Sequence, residues 1–178
     1  MRQGRSILQS FNPSILLSLK PSNPQSLNLS LMQIFLGGTA GHSTWRTKIA
    51  IPILETAGVT FFNPQLGAGE WTPAHQAIET KAKEEADVWL FVVTEETRGV
   101  ASLVEAAYRI GTGGLLSLVV RSIQEDDLFD GLPLNEQERK DLNRGRSYLI
   151  EVAEQNGVPV FDSIAEATKH AVQLANGQ

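Results

Sequence analysis

The sequence predicts a doubly wound α/β fold of the flavodoxin or Rossmann type, in which a five-stranded parallel sheet of order 2-1-3-4-5 carries helices on both faces. Three observations predict this fold. Strand-like and helix-like segments alternate from Met32 onward. The segment VWLFVVT is apolar up to its final threonine, which is typical of a strand buried on both faces. No internal repeat or long linker divides the chain, so residues 32–178 are expected to form one domain.

The first half of this domain gives two strands and two helices. The run MQIFLGG, which starts at Met32 and ends in glycines, predicts strand one. Apolar residues at helical spacing in STWRTKIAIPILETAG predict a helix that stops at Gly58. The segment VTFFNPQ predicts strand two, and the turn Asn63–Pro64 closes it. A helix over Thr72–Ala86 follows, with the threonine as its cap and a proline in its first turn.

The second half continues the alternation. Strand three, VWLFVVT, is followed by a helix over Ser102–Gly111 and by strand four, LLSLVVRSI. After the polar loop QEDDLFDGLPL, the pattern predicts a long helix over Asn135–Asn156, the short strand VPVFDS and a last helix from Ser163. Because parallel crossovers are right-handed and place a helix on a face of the sheet, this order predicts the doubly wound arrangement.

The ligand site of such a sheet lies beyond the carboxyl ends of the strands where the strand order reverses, here between strands one and three. The loops Gly37–Arg46 and Glu95–Ser102 are therefore expected to face each other. The first loop, GGTAGHSTWR, has glycines that allow close backbone approach and the hydroxyls of Ser43 and Thr44. It lacks both the Walker and the dinucleotide glycine patterns, so a tight turn before a helix explains it equally well.

Glu105 has two interpretations. The segment SLVE from Ser102 matches a capping box, as do NEQE from Asn135 and SIAE from Ser163, and on pattern alone a helix cap is favoured. The other interpretation is that Glu105 projects into the expected crevice, and its position along the chain supports it. Of these three helices, only the one that carries Glu105 starts at the carboxyl end of strand three, beside the expected crevice.

A second acid, Glu79, shares one side of its predicted helix with Gln76 and Lys83, and spacing alone favours an exposed surface charge. Two carboxylates in one cleft, one ionised and one holding a proton, are what glycosyl transfer requires. The sequence permits Glu79 and Glu105 to form such a pair.

Four segments, IFLGGTAGHSTWR, FFNPQLGAGEW, AIETKAKEEADVWLFVV and GVASLVEAAY, together resemble the nucleoside 2-deoxyribosyltransferase family and its nucleoside deoxyribosyltransferase-like relatives, over residues 32 to about 123. The resemblance implies a doubly wound α/β fold. It implies that Glu105 attacks the anomeric carbon of a nucleoside and that the sugar then passes to another base or to water. It also implies that Glu79 helps to bind and protonate the base.

The resemblance further implies the substrate contacts. Asn63, Pro64 and Trp71 are expected to form the wall of the pocket on the side of the base. The other residues expected to bind substrate are Gly37, Gly38, Ser43, Trp45, Arg46, Gly99 and Ser102.

One position departs from the family pattern. Typical transferases carry an aspartate six residues before the nucleophile, where this chain has Gly99, and relatives that act on monophosphates hold the 5′-phosphate with serines and backbone amides. The sequence leaves open a transferase, a nucleoside 5′-monophosphate N-glycosidase and a non-catalytic nucleotide-binding or sensor module. Three arginines, Arg121, Arg144 and Arg146, are interpreted as surface charges, with phosphate contact as the alternative.

Charge is unevenly distributed along the chain. Residues 1–31 hold three basic residues and no acid, and their Ser, Asn, Leu and Pro content favours a disordered leader, or a stretch ahead of a true start at Met32, over a transit peptide. Residues 32–178 hold 12 basic and 20 acidic residues. Nucleic acid is therefore an unfavoured partner, and a small nucleoside or nucleotide is the expected ligand.

Composition limits the remaining classes. The chain has no cysteine, which excludes thiol nucleophiles and cysteine zinc sites and fits a cytoplasmic location. It has no run of about 18 apolar residues, so no membrane association is expected. We expect no metal and no cofactor, and the resemblance implies a homodimer or a larger homo-oligomer.

Overall fold

The computed structural model describes residues 33–66, 72–129 and 132–177. Its main sheet is parallel, with the spatial order β2-β1-β3-β4, and consists of β1 (Gln33–Gly38), β2 (Thr60–Phe62), β3 (Val88–Val93) and β4 (Leu115–Val120). A separate antiparallel pair consists of β5 (Leu128–Phe129) and β6 (Leu132–Pro133). The α/β class and the parallel sheet are confirmed.

Each strand of the main sheet is followed along the chain by a helix, and β4 is followed by two helices, α4 and α5. A π-helical turn, Arg46–Ala50, leads directly into α1 (Ile51–Ala57), and the others are α2 (Pro73–Glu85), α3 (Val100–Gly111), α4 (Glu136–Gln155) and α5 (Ile164–Ala175). Over the described ranges, no helix has both the length and the apolar character needed to cross a membrane.

The sheet has four strands where the sequence predicts five. The segment VPVFDS contributes only a parallel bridge between Leu118 and Val160, beside which the Phe161 N–H donates to the Leu118 carbonyl at 2.8 Å. Pro159 has no N–H and cannot extend this ladder. The segment therefore lies next to β4, where strand five is expected, without forming a strand.

Side chains of β1 and β3 alternate between two apolar clusters, one on each face of the sheet. On one face they pack with α1 and α5, and on the other with α2, α3 and α4. All six residues of β3 are buried. This period of two is the geometry of a strand covered on both sides. Because the strands run parallel, the loops after β1, β2 and β3 all emerge at the carboxyl edge of the sheet.

Helix α3 begins before Ser102, and the predicted SLVE capping box is wrong. Gly99 precedes the helix in the left-handed region, with φ 67° and ψ 13°, and its carbonyl accepts the first helical hydrogen bond from the Leu103 N–H at 2.9 Å. Because a glycine adopts this conformation without steric cost, the turn forms there and Ser102 lies inside the first turn. Glu105 is thereby free of a capping role.

The other two predicted caps are confirmed. The side chain of Asn135 accepts a hydrogen bond from the Glu138 N–H at 2.9 Å, and that of Ser163 accepts one from the Glu166 N–H at 3.4 Å. Both residues have extended backbone and stand directly before their helices, as an N-cap requires.

Candidate functional site

A pocket of about 710 Å³ opens at the carboxyl edge of the sheet. One wall is the loop after β1, a second is the segment 63–66 after β2, and a third is formed by Glu79 of α2 and Glu105 of α3. The pocket therefore lies at the carboxyl edge beside β1, as the doubly wound topology predicts. The prediction that the loop Glu95–Ser102 forms its opposite side is wrong, because none of those residues is among the described residues that line the pocket.

The end of β1 is joined closely to β3. A Cβ added to Gly37 would lie 1.9 Å from the ring of Phe91, and one added to Gly38 would lie 2.0 Å from the carbonyl oxygen of Val92. Gly38 also has φ 103°, which other residues rarely adopt. These two glycines are needed for the close approach that brings the first loop to the pocket.

Arg46 holds the loop after β1 from inside. Its side chain is 1% exposed, and its guanidinium donates to the carbonyls of Leu36, Gly38 and Thr39 at 3.0, 3.3 and 2.5 Å. Burial lowers the pKa of Arg46 to about 10, and the negative charge of Glu79 acts in the opposite direction. Arg46 thus borders the pocket, and three of its five N–H groups are already used by the backbone.

Two further residues fix this loop. The Trp45 indole N–H donates to the Thr39 carbonyl at 2.9 Å, and the Gln65 side-chain amide donates to the carbonyls of Gly41 and Ser43, both at 2.9 Å. Sequence reasoning missed Gln65. The Ser43 hydroxyl is buried and has no hydrogen-bond partner among the described residues, which leaves it available to a ligand oxygen.

The two predicted acids meet at one ammonium group. Lys83 Nζ lies 2.7 Å from Glu79 Oε1 and 2.6 Å from Glu105 Oε1, and the lysine side chain is only 18% exposed. Burial opposes the charge on Lys83, but hydrogen bonds to Glu105 and Glu79 outweigh it and raise the pKa of Lys83. Nζ also lies 5.4 Å from the centre of the buried Phe35 ring. We call Glu79, Lys83 and Glu105 the acid–lysine cluster.

The loop after β3 is held by Arg146, which sequence reasoning interpreted as a surface charge. This interpretation is wrong, because the residue is 1% exposed. Its guanidinium donates to five carbonyls at 2.8–3.3 Å, those of Thr94, Thr97, Arg98, Arg121 and Leu142. Burial lowers the pKa of Arg146, and the charge of Glu95 opposes that shift. The turn that precedes Gly99 and α3 is thereby fixed.

A sequence signal for the burial of Arg146 exists. Leu142, Arg146, Leu149 and Ala153 recur at spacings of four, three and four along α4, which places the arginine in the apolar stripe of the helix. By contrast, Arg144 is exposed and lies 4.0 Å from Asp141.

The predicted site residues fall into three groups. Those that line the pocket are Gly37, Gly38, Ser43, Arg46, Asn63, Pro64, Glu79 and Glu105. Those that do not line it are Trp45, which is buried behind the loop, and Gly99 and Ser102, which stand at the start of α3. Trp71 lies outside the described residues. The roles assigned to all of these residues stay predictions.

The described part of the chain contains no group of three or more His, Asp or Glu side chains placed to hold a metal ion.

Comparison with known proteins gives one family. A family model described as nucleoside 2-deoxyribosyltransferase like matches residues 31–123, just over half of the chain, from the start of β1 to the end of β4. No curated protein sequence matches the chain.

Proposed function

Because the chain belongs to the nucleoside 2-deoxyribosyltransferase-like family, we propose that it cleaves or transfers at the N-glycosidic bond of a nucleoside or deoxynucleoside, with Glu105 as the nucleophile and Glu79 as the acid on the side of the base. One observation carries this proposal. Two carboxylates from different helices meet in a single pocket, and both contact Lys83.

The separation of the two acids supports a covalent route. Their Oε1 atoms each lie within 2.7 Å of Lys83 Nζ, so they cannot be further apart than twice that distance. Enzymes that form a glycosyl intermediate place their two carboxyl groups roughly 5–5.5 Å apart, whereas those that activate a water directly need more room. This upper limit on the distance between the two Oε1 atoms supports direct attack by Glu105.

The proposed reaction has two steps. A carboxylate oxygen of Glu105 forms a bond to C1′ while the C1′–N bond breaks, and its electron pair leaves with the base, which takes a proton from Glu79. A water or a second base then attacks C1′, the ester bond breaks, and Glu105 returns as a carboxylate. The acceptor, whether water or a base, gives up a proton to Glu79, which is then ready for the next turnover. Each step is easier than one direct displacement.

The charges of the pocket favour an uncharged nucleoside over a 5′-monophosphate. Among the described lining residues, the acids are Glu79 and Glu105, and the one arginine, Arg46, already donates to three carbonyls. A phosphate would therefore meet two negative carboxylates, while Arg46 already uses three of its five N–H groups on the backbone. The unpartnered hydroxyl of Ser43 suits a sugar hydroxyl.

The absence of an aspartate at position 99 supports water as the second acceptor. Gly99 is in the left-handed region at φ 67°, and an added Cβ would lie 3.0 Å from a methyl carbon of Val93. Typical transferases carry an aspartate at this position, and an aspartate here would need a left-handed backbone and a small shift of Val93. We accordingly propose hydrolysis as the main outcome and base exchange as the minor one.

One face of α3 supports assembly into a homo-oligomer. Val100, Val104 and Tyr108 are 57%, 66% and 69% exposed and recur every four residues, so they form an apolar stripe next to Glu105. We expect light scattering to give a mass of at least two chains, and Val104→Asp to reduce it. A single-chain mass for the unchanged protein would contradict this assembly.

The assay for catalysis follows release of free base by chromatography, with a panel of nucleosides, deoxynucleosides and their 5′-monophosphates. We expect base release from at least one uncharged nucleoside, and base exchange when a second base is added in excess. Glu105→Gln should lower turnover by at least about 10³-fold while the melting temperature changes little. A 2-fluoro nucleoside should add the mass of its sugar to the peptide that contains Glu105.

Glu84→Gln is the matched control, because Glu84 is an exposed acid adjacent to Lys83 and does not line the pocket in the described residues. Turnover by Glu84→Gln should equal that of the unchanged protein. Base release that persists in Glu105→Gln would end the assignment of the nucleophile. Ligand-induced stabilisation without any product would favour a sensor.

A further inference from the structure

Lys83 stands behind the two acids. It is not among the described residues that line the pocket, whereas both of its partners are. Its side chain is less exposed than those of Glu79 and Glu105, at 18% against 28% and 39%. The ammonium is thus placed to act on the carboxylates and not on a substrate.

From this placement, and resting on the function proposed above, we infer that Lys83 is a positioning residue that keeps Glu105 ionised and aimed for attack by preventing the two neighbouring carboxylates from sharing a proton. Glu79 and Lys83 are four residues apart on α2, the favourable order for such a pair, while Glu105 reaches the same nitrogen from α3. Lys83 therefore also ties the two helices together at the pocket.

The charge of the cluster explains why a lysine is needed. Two carboxylates in one pocket repel each other when both are ionised, and without a nearby cation this repulsion favours a proton shared between them. A shared proton removes the nucleophile for part of the time. With both acids ionised the cluster carries a net charge of −1, because the ammonium offsets one of the two negative charges. Once Glu79 takes up the proton for the leaving base, the cluster is neutral and Glu105 stays paired with the ammonium.

Other charged groups around the cluster do not replace Lys83. Arg46 acts on Glu79 from the loop after β1, but each of its three nitrogens already donates to a backbone carbonyl. His42, on the same loop, lines the pocket. Trp89 of β3 contributes an indole N–H to the Lys83 carbonyl at 3.3 Å and carries no charge. Lys83 is the cation in direct contact with both acids among the described residues.

Activity tests this inference through its pH dependence. Removing the cation in Lys83→Met should raise the pKa of the acid limb of kcat/KM by at least about one unit, which lowers the rate about tenfold or more at pH values below that limb. KM should change little, because Lys83 does not line the pocket. Lys83→Arg, which keeps a cation, should restore most of the profile.

Lys81→Met is the matched control. Lys81 lies on the same helix, is exposed and contacts Glu85 at 3.6 Å, so its loss should leave the pH profile unchanged. A profile in Lys83→Met that matches this control, with turnover intact, would overturn the inference.

A second measurement separates this inference from the proposed reaction. Carboxyl carbons of ¹³C-labelled glutamate are titrated by NMR, with Glu79→Gln and Glu105→Gln to assign the two signals. In Lys83→Met the two acids should titrate as a coupled pair in two steps, at higher pH than in the unchanged protein. Unchanged titration would refute the role of Lys83. A shifted titration in a protein that releases no base would instead leave that role standing and refute the proposed reaction.

Discussion

Replacing Arg146 with lysine tests whether a buried guanidinium holds the loop that leads to Glu105. The substitution keeps the charge and most of the stem but removes the planar fork. Arg146 donates to five carbonyls, four of which belong to the loops after β3 and β4. An ammonium has three N–H donors, so at least two of the five carbonyls lose their partner.

The expected loss of stability follows from this count. A buried polar group left without a hydrogen bond costs roughly 1–3 kcal/mol, so two such carbonyls predict a decrease of about 2–6 kcal/mol in the free energy of unfolding. For a chain of this size each kcal/mol lowers the melting temperature by about 2–4 °C, so a drop of at least about 4 °C is expected.

Urea unfolding of the unchanged protein, Arg146→Lys and Arg144→Lys measures this difference. Arg144 lies on the same helix and its side chain is 67% exposed, so Arg144→Lys should shift the free energy by less than about 0.5 kcal/mol. The dependence on urea should have the same slope in all three proteins, since a changed slope indicates a change in the surface exposed on unfolding. Equal midpoints for the two variants would refute the clamp by Arg146.

Three further predictions concern stability. Gly38→Ala should destabilise the protein by at least about 3 kcal/mol, because its Cβ would meet a backbone carbonyl. Gly41→Ala, where φ is 69° but the space around the Cβ is open, should cost about 1–2 kcal/mol. Chemical denaturation compares the two variants. Burial lowers the pKa of His170 below its ordinary value of about 6.5. The unfolded chain therefore takes up this proton at a higher pH than the folded protein, so stability is lost as the pH falls from about 6.5 through the folded pKa. His170→Gln should show a smaller acid-induced drop in melting temperature. Ser163→Ala should cost about 1 kcal/mol as a lost cap, and Ser102→Ala less than about 0.5 kcal/mol, by thermal unfolding.

Most of the fold was predictable because its causes are local. The continuous apolar run of β3 and the helical spacing of α5 need no distant partner to be recognised. Two predictions, the fifth strand and the start of α3, were wrong because of the backbone of a single residue. Pro159 prevents the fifth strand from continuing its ladder, and Gly99 offers α3 an earlier start than the serine pattern suggests. In both cases a backbone constraint outweighed a side-chain pattern.

The site was predictable only in part, because its contacts are long-range. The topology and the resemblance together placed Glu79 and Glu105 at one edge of the sheet, and both line the pocket. The joint contact with Lys83 spans 22 residues of sequence, and that of Arg146 with Thr94 spans 52. The spacing of residues along one helix reveals neither of these long-range contacts. Arg146 could have been identified as buried from its apolar stripe, but not as the partner of five carbonyls.

The way in which the loops are held suits a site whose acids change charge during the reaction. Arg46 and Arg146 donate to backbone carbonyls, and no carboxylate of the described residues lies within 4 Å of either guanidinium. Carbonyls do not titrate, whereas the proposed reaction converts Glu105 from a carboxylate to an ester and back. If Glu105 or Glu79 were the partner of either arginine, each turnover would release the loop that this arginine holds. Since the acids contact Lys83 instead, the loops keep their shape while the charge of the acid–lysine cluster changes.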